Sequence, residues 1–447
     1  MKSEYEHSLL LLLSFSVKLL AMISYQQARD RVASKVRELV RAPATESVPL
    51  RQALGRVLAQ EIRSDRDYPP FDRSIRDGYA VRAADTRPGA RLRCIGEIRA
   101  GEAPSFTVSA GTCVQIMTGA PLPEGADAVV MVEHTAREGD IVEVDRAVGS
   151  GQHVVRRGSE QKAGGTILAA GTRFGFAELA VAAQVGAAHP LVTRKPRVAI
   201  LTTGDEVVDF VRTPGPFQIR NSNSVSIAAQ VALLSAEPVI LGNATDSLDD
   251  LREKISTGLE ADALILSGGV SMGKYDLVEP VLREFGADFV FDAVAIRPGK
   301  PVVFAICKGK PFATQGEPCD AQKTQGEPFE TQGKPVFGLP GNPVSTMVTF
   351  DLFVQPAIQI LSGTESGPLP LVEATLTSAL CEKPGLAHFL PATLSWSGDT
   401  PQVAPVNWQG SGDVAAMAHA NCLLVVPPDR ETIEAGERVH ILPRRVY

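Results

Sequence analysis

The chain lacks the signatures of several large functional classes. Its seven histidines include no HxH, HExxH or Ser–His arrangement, so histidine-based metal or triad catalysis has no support. Its six cysteines, Cys94, Cys113, Cys307, Cys319, Cys381 and Cys422, form no CxxC pair and stand at no zinc-ligand spacing to a histidine. A reducing cytoplasm suits them better than an exported, disulfide-stapled fold. Neither sign of charge dominates: 51 acidic against 44 basic residues leave a net charge of −7, which calls for no nucleic-acid and no membrane partner. The apolar stretch Ser8–Leu20 is short and broken by Ser14, Ser16 and Lys18, so it makes a poor membrane span. It also makes a poor secretory signal, because Glu4 and Glu6 offset Lys2 and no small-x-small cleavage site comes after it.

Directly after that stretch stands a complete helix start. Ser24 can cap, Gln27 closes a capping box, and Ala28, Val32, Val36, Leu39 and Val40 recur at helical spacing. Met22 is therefore expected to be the natural first residue, with 1–21 a non-native or unstructured extension.

At 447 residues the chain is long enough for roughly three or four domains. The region from Ala53 to Gly186 reads as β-rich, with strands at Val129–Val132 and Ile141–Val144 and one helix at Phe176–Gln184. From Pro196 the pattern changes. Strands at Val198–Leu201, Pro238–Leu241 and Leu264–Leu266 alternate with helices at Ser224–Leu234, Ser247–Leu259 and Tyr275–Phe285; Ser247 and Asp250 form a capping signature for the second. Strands at Phe289–Ile296 and Val302–Ile306 and a long apolar helix, Pro343–Leu361, complete this part. Alternation of this kind implies a doubly wound, largely parallel sheet. The tail from Pro368 returns to short strands such as Cys422–Val426 and reads as a small β domain. The fold class expected is thus multidomain α/β plus β. Between Lys308 and Pro335, near-copies of Gly-Lys/Glu-Pro-x recur, which reads as a low-complexity tandem expansion in a hairpin loop.

The most informative segment is Ala261–Asp276. An apolar strand runs into Ser267-Gly268-Gly269 and then into a helix, which aims free N–H groups at a crevice suited to an oxyanion. Ser271, Lys274 and Asp276 lie in the same loop. Three other loops come after strands of the α/β region: Thr202–Glu206, the turn at Asp246, and the pair Arg297–Pro301 with Gly338–Ser345. In a doubly wound sheet such loops share one crevice. Asp205, Glu206, Asp246 and Asp276 can then converge, and oxygen donors beside a phosphate suit Mg²⁺. Arg297, Lys300 and Lys274 can hold an oxyanion. Each acid alone is more often a turn former or helix cap. In the β-rich part, Tyr68–Tyr79 is a polar, aromatic loop in which Asp77-Gly78 is a turn signal. Gln115–Pro121 and Arg156–Glu160 are further polar loops.

Taken in order, Pro70–Arg82, Ile116–Pro121, Thr203–Glu206, Ser267–Gly273, Arg297–Pro301 and Gly338–Ser345 resemble the motifs of the molybdopterin molybdenumtransferase (MoeA) family, which includes the E domain of gephyrin. The resemblance spans about Met22 to Tyr447. It implies an elongated cytoplasmic homodimer of four-domain subunits: 22–60 with 150–192 as a discontinuous helix-containing linker or dimer domain, 61–149 β-rich, 193–362 the molybdopterin-binding α/β domain, and 368–447 a barrel-like C-terminal domain. It implies Mg²⁺-dependent cleavage of adenylylated molybdopterin, insertion of molybdate and release of AMP, with a molybdopterin adenylyltransferase as a partner that supplies the substrate. Family functional positions fall on Asp77, Thr118, Glu206, Asp246, Asp276, Pro340 and Pro343. Metal binding is expected at Glu206, Asp246 and Asp276. Substrate is expected to meet Ser267, Gly268, Gly269, Ser271, Arg297, Pro298, Lys300, Pro340, Gly341, Asn342, Pro343 and Ser345, while Asp77 and Thr118 complete the site across the dimer. The chain departs from the family where Asn-Ser-Ala-Met becomes Arg73-Ser-Ile-Arg76 and where an Asp becomes Glu160. It also carries the 308–335 repeat, which lies in sequence between two crevice segments and would slow the reaction if it folds back over the crevice. The competing readings are a molybdopterin adenylyltransferase, whose single-domain family has no β-rich half, and a non-catalytic molybdopterin-binding scaffold.

Overall fold

The computed structural model describes residues 22–40, 43–269, 277–308 and 333–444. The first helix, α1 (Tyr25–Leu39), begins as its sequence dictates. Ser24 Oγ accepts from Gln27 N, and the Gln27 side chain accepts in turn from Ser24 N. Two otherwise orphaned N–H groups are satisfied reciprocally. The helix buries Ala28, Val32, Ala33 and Val36.

The chain forms two compact units. The smaller comprises residues 47–54 and 58–192, and the larger holds the rest. The smaller is β-rich. Its six-stranded sheet contains β1 (Gly78–Val81), β2 (Ala90–Ile98), β3 (Thr112–Ile116), β4 (Ala128–Met131), β5 (Thr135–Glu138) and β6 (Ile141–Val144), in the order β4-β1-β3-β2-β6-β5. Helix α2 (Phe176–Gln184) lies where its apolar pattern placed it.

The larger unit contains the α/β region. Its elements are β7 (Arg197–Thr203), α3 (Asn223–Leu233), β8 (Glu237–Ala244), α4 (Leu248–Gly258), β9 (Ala263–Ser267), α5 (Val278–Glu284), β10 (Ala287–Ala293), β11 (Ile296–Arg297), β12 (Pro301–Cys307), β13 (Lys334–Leu339) and α6 (Pro343–Leu361). The sheet order is β8-β7-β9-β13-β12-β10. The first four strands are parallel, and β12 and β10 add an antiparallel edge. Alternate residues of β7 serve opposite faces. Val198 and Ile200 pack with α1, α3 and α6, whereas Ala199 and Leu201 pack with α4 and α5. Burial on both faces is what a doubly wound sheet requires, and each such side chain contributes about 1.5–3 kcal/mol.

Helix α6 is long and apolar enough to cross a membrane, but here it is a core helix. Its π turn at Phe350–Val354 has a local cause. Pro356 has no N–H for the Leu352 carbonyl and would clash with it in a regular helix. Arg29 Nη1 of α1 donates to that carbonyl at 2.7 Å instead.

A closed barrel completes the larger unit. It contains β14 (Val372–Leu376), β15 (Ala387–Ser397), β16 (Thr400–Pro405), α7 (Val414–His419), β17 (Cys422–Val426) and β18 (Arg438–Pro443). The ring runs β15-β16-β14-β18-β17 and back to β15, so all five strands are paired on both sides; β11 attaches alongside in parallel with β15. The multidomain α/β plus β architecture read from the sequence is therefore what the chain adopts.

One local reading is corrected. Ser247 does stand at the N-cap of α4, but its side chain makes no capping bond. Asp250 turns back to Thr245, accepting from its N–H at 2.7 Å and its hydroxyl at 2.9 Å, and pairs with Lys254. The repeat segment, though between two crevice motifs in sequence, springs from the other end of the sheet: Cys307 pairs with Lys334 at the strand ends remote from Pro301. Seven residues at roughly 3.3 Å each separate the two ends. The expected start of a helix at Tyr275 lies outside the described residues, and α5 is described from Val278.

Candidate functional site

The carboxyl ends of β7, β8, β9 and β13 lie on one edge because these strands are parallel. The loop before β12 lies there too, because β12 runs the opposite way to β13. The four loops picked from the sequence thus open on one edge.

At the centre stand Ser267, Gly268 and Gly269. Both glycines have positive φ, +95° and +62°. A Cβ on Gly268 would lie 2.8 Å from the Thr203 carbonyl oxygen, and one on Gly269 would lie 2.8 Å from Thr203 Oγ1. Only glycine allows this turn to sit against the end of β7. Ser267 is buried, and its hydroxyl lies 3.4 Å from the Pro340 carbonyl. Gly341 packs over Gly268: a Cβ on Gly341 would lie 3.7 Å from the Gly268 Cα. Asn223, at the start of α3, ties these loops together: Nδ2 donates to Ser267 Oγ at 2.9 Å and to the Gly341 carbonyl at 2.8 Å. Its Oδ1 is buried without a hydrogen-bond partner among the described residues. Asn223 was missed in the sequence, since its partners stand 44 and 118 positions away. The only local signal is Asn221-Ser-Asn-Ser224, a polar run opening an apolar helix.

The next loop starts α6. Asn342 stands at the N-cap and Pro343 at the first helical position, where a missing N–H costs nothing. Asn342 Nδ2 donates to Ser411 Oγ at 2.9 Å, and Thr346 Oγ1 donates to the Pro340 carbonyl at 2.6 Å. Ser345 is buried in the first turn.

The acids gather beside this cradle. Asp246 N donates to Asp205 Oδ1 at 3.1 Å. Partial desolvation, then the negative charges of Asp205 and Glu206, raise the Asp246 pKa above the ordinary carboxylate value. Glu206 folds back over Gly204, its Oε2 lying 2.6 Å from where a Cβ would be. Among the described residues, no three His, Cys, Asp or Glu side chains stand at metal-holding distance. Ser271, Lys274 and Asp276 lie outside the described residues.

Arg297, Pro298 and Lys300 lie on the same edge, but Arg297 is drawn toward the barrel. Its Nη1 is 3.7 Å from Glu382 Oε2. Gly299, at φ +101°, is closed in by Thr349 of α6.

The smaller unit brings Asp77 and Thr118 together. Asp77 Oδ1 accepts from Thr118 N at 2.7 Å and from Thr118 Oγ1 at 2.9 Å, which lowers its pKa. Gly78 opens β1 rather than a hairpin turn, with the Val130 carbonyl pressed against the place of a Cβ. Two of the chain's unusual residues answer each other: Arg73 Nη2 pairs with Glu160 Oε1 at 2.9 Å. The Arg76 side chain is exposed.

Comparison with known proteins covers nearly the whole chain. Residues 23–186 match the MoeA N-terminal region (domain I and II), 199–360 the "Probable molybdopterin binding domain", and 373–443 the MoeA C-terminal region (domain IV). A molybdopterin molybdenumtransferase from Nostoc sp. is 34% identical over 442 residues, covering 94% of each chain. One from Bacillus subtilis is 32% identical, covering 92% of this chain and 93% of its own. A crystal structure of a molybdopterin biosynthesis MoeA protein from Pyrococcus horikoshii superposes with a TM-score of 0.72 at 31% identity, over 95% of this chain and all of that one.

Proposed function

This chain belongs to the molybdopterin molybdenumtransferase family, transferases of molybdenum cofactor biosynthesis, and from that premise we propose that its carboxyl-edge crevice inserts molybdate into adenylylated molybdopterin with Mg²⁺-dependent release of AMP. One observation carries the reading. Asp205, Glu206 and Asp246 stand together, with Asp246 N donating to Asp205 Oδ1 at 3.1 Å, on the same edge that offers Ser267, the Gly268-Gly269 backbone and the start of α6.

Mg²⁺ fits this donor set. It takes hard oxygen ligands, keeps several waters and needs only one or two carboxylates. Partial desolvation and then the neighbouring acids raise the Asp246 pKa, and a bound cation would offset both. Glu206 and Asp246, joined by Asp276, are the residues proposed to hold it. The ion, when bound, would supply charge neutralisation on the pyrophosphate. Ser267, Ser271 and the Gly268-Gly269 amides hold phosphate or molybdate oxygens, helped by the dipole of α6 behind Pro340–Pro343. Arg297, Lys300 and Ser345 hold the second oxyanion. Asp77 and Thr118, whose mutual hydrogen bonds fix the carboxylate, serve the crevice of a second subunit in a homodimer. A molybdopterin adenylyltransferase supplies the substrate in the cytoplasm.

The test is AMP release by the purified chain given adenylylated molybdopterin, molybdate and Mg²⁺. Release is expected, and Asp246→Asn and Asp276→Ala should abolish it without unfolding the chain. Undiminished release in both variants overturns the assignment. Mixing Asp77→Ala with Asp246→Asn chains should recover activity if the two residues act from different subunits, and no recovery overturns that arrangement.

A further inference from the structure

Arg297 is half exposed, and a flexible guanidinium in such a position spends entropy to meet an anion. Here it is not left to itself. Glu382, in the barrel, reaches toward Arg297 with one oxygen, and the same oxygen lies 3.0 Å from His388 Nδ1. His388 is 2% exposed and Glu382 19%. Arg297 and His388 are register partners where β11 joins β15, so the backbone itself sets these two residues side by side, and Glu382 reaches both.

The imidazole is fixed from its far side. His388 Nε2 lies 3.0 Å from the Lys383 carbonyl, which can only accept, so Nε2 carries a proton. Nδ1 is then aimed at Glu382. The contact is off the ring's N–H direction, so it is an ion-pair approach and Nδ1 makes no hydrogen bond. The Glu382 backbone is pinned as well, its N–H donating to the Glu431 carbonyl at 2.8 Å.

We infer that Glu382, pinned through its backbone N–H and set beside buried His388, is a positioning residue that holds the Arg297 guanidinium ready for the oxyanion substrate at the carboxyl edge. The inference rests on the proposed reaction, in which Arg297 meets molybdate or phosphate. It adds a specific task for the barrel: it supplies the brace, and the α/β region supplies the cation.

The experiment is a double-mutant cycle on the full chain. Molybdate is varied at saturating adenylylated molybdopterin in wild type, Glu382→Gln, Arg297→Gln and the double variant, with melting temperatures recorded. Glu382→Gln should raise the KM for molybdate about fivefold and leave kcat within about twofold, Glu382→Asp should recover part of that loss, and the double variant should be no worse than Arg297→Gln alone. An unchanged KM in Glu382→Gln overturns the inference, as do effects that multiply in the double variant. So does a loss of kcat and melting temperature in both Glu382 variants without a KM effect, which assigns the carboxylate to the barrel fold alone. Failure of the proposed reaction is separate: wild-type chain would then give no molybdate-dependent product at all.

Discussion

The two edges of the six-stranded α/β sheet use the same kinds of residue and treat charge in opposite ways. At the amino edge, Arg194 Nη2 donates to both oxygens of Asp262, at 2.9 and 2.8 Å, and Asp262 also accepts from Arg197 N at 2.7 Å. At the carboxyl edge, the charged groups acting on Asp246 are themselves acids. The contrast persists within one short segment. Asp250 lies four residues from Asp246, yet its pKa is lowered by the hydrogen bond to Lys254 and by the Thr245 amide. Paired charges secure the fold, whereas acids left facing one another give up stability, which is the cost that the proposed cation site would carry.

The largest test of this contrast is Asp246→Asn. Turnover should fall on the order of a hundredfold or more, while the urea midpoint stays level or rises, because a repelled charge has gone. Retained turnover would erase the functional difference between the edges. Asp262→Ala should do the reverse. It removes the two hydrogen bonds that Arg194 makes to Asp262 and costs about 2–3 kcal/mol in urea unfolding, with turnover preserved at temperatures where the chain is folded. Gly268→Ala should cost about 1–3 kcal/mol and slow turnover, since a Cβ would meet Thr203 at 2.8 Å under a φ of +95°; an unaffected enzyme would show that the turn can relax.

Acid sensitivity distinguishes the two aspartates by sign. Asp246 has a raised folded pKa, so its favourable contribution is present at low pH and lost as pH rises through that value. The stability advantage of Asp246→Asn over wild type should therefore shrink as pH falls toward about 3.9. Asp250 has a depressed folded pKa, and its contribution is held above about 3.9 and lost only as pH falls further. Urea midpoints of both Asn variants across pH would show these opposite windows, and parallel curves would refute them. The smallest effect belongs to the repeat. Excising Phe312–Pro335 places Lys310 and Pro311 where Lys334 and Pro335 now pair, with Lys308-Gly309 as a two-residue turn. Stability should change by about 0.5 kcal/mol or less, and turnover should hold, because the hairpin opens on the amino edge.

Local signals in the sequence were sufficient for elements that local forces govern. The Ser24–Gln27 box, helix α2, and the strand β17 at Cys422–Val426 stand where patterning put them. Ser247 and Asp250 had the letters of a capping box, but Thr245 and Lys254 offered Asp250 better partners. The crevice could be outlined, because strand ends converge by topology. Its fastenings could not. Asn223 meets Ser267 and Gly341 only through the sheet order, and Arg297 meets Glu382 only because β11 joins the barrel. Arg73 and Glu160 each look like a separate oddity in sequence and form one ion pair in space.

The attachment of β11 to β15 has a further consequence. Ala387 N donates to the Ala295 carbonyl at 3.0 Å, so the loop that carries Arg297 is knitted by backbone bonds into a ring with no loose strand. The barrel cannot fray at that seam without tearing these bonds. Amide exchange at Ala387 should therefore proceed through the same opening event as exchange in the barrel's central strands, and denaturant should lower both protections with one slope. The Arg297 loop would then inherit the slow opening clock of a β-barrel rather than the fast one of a surface turn.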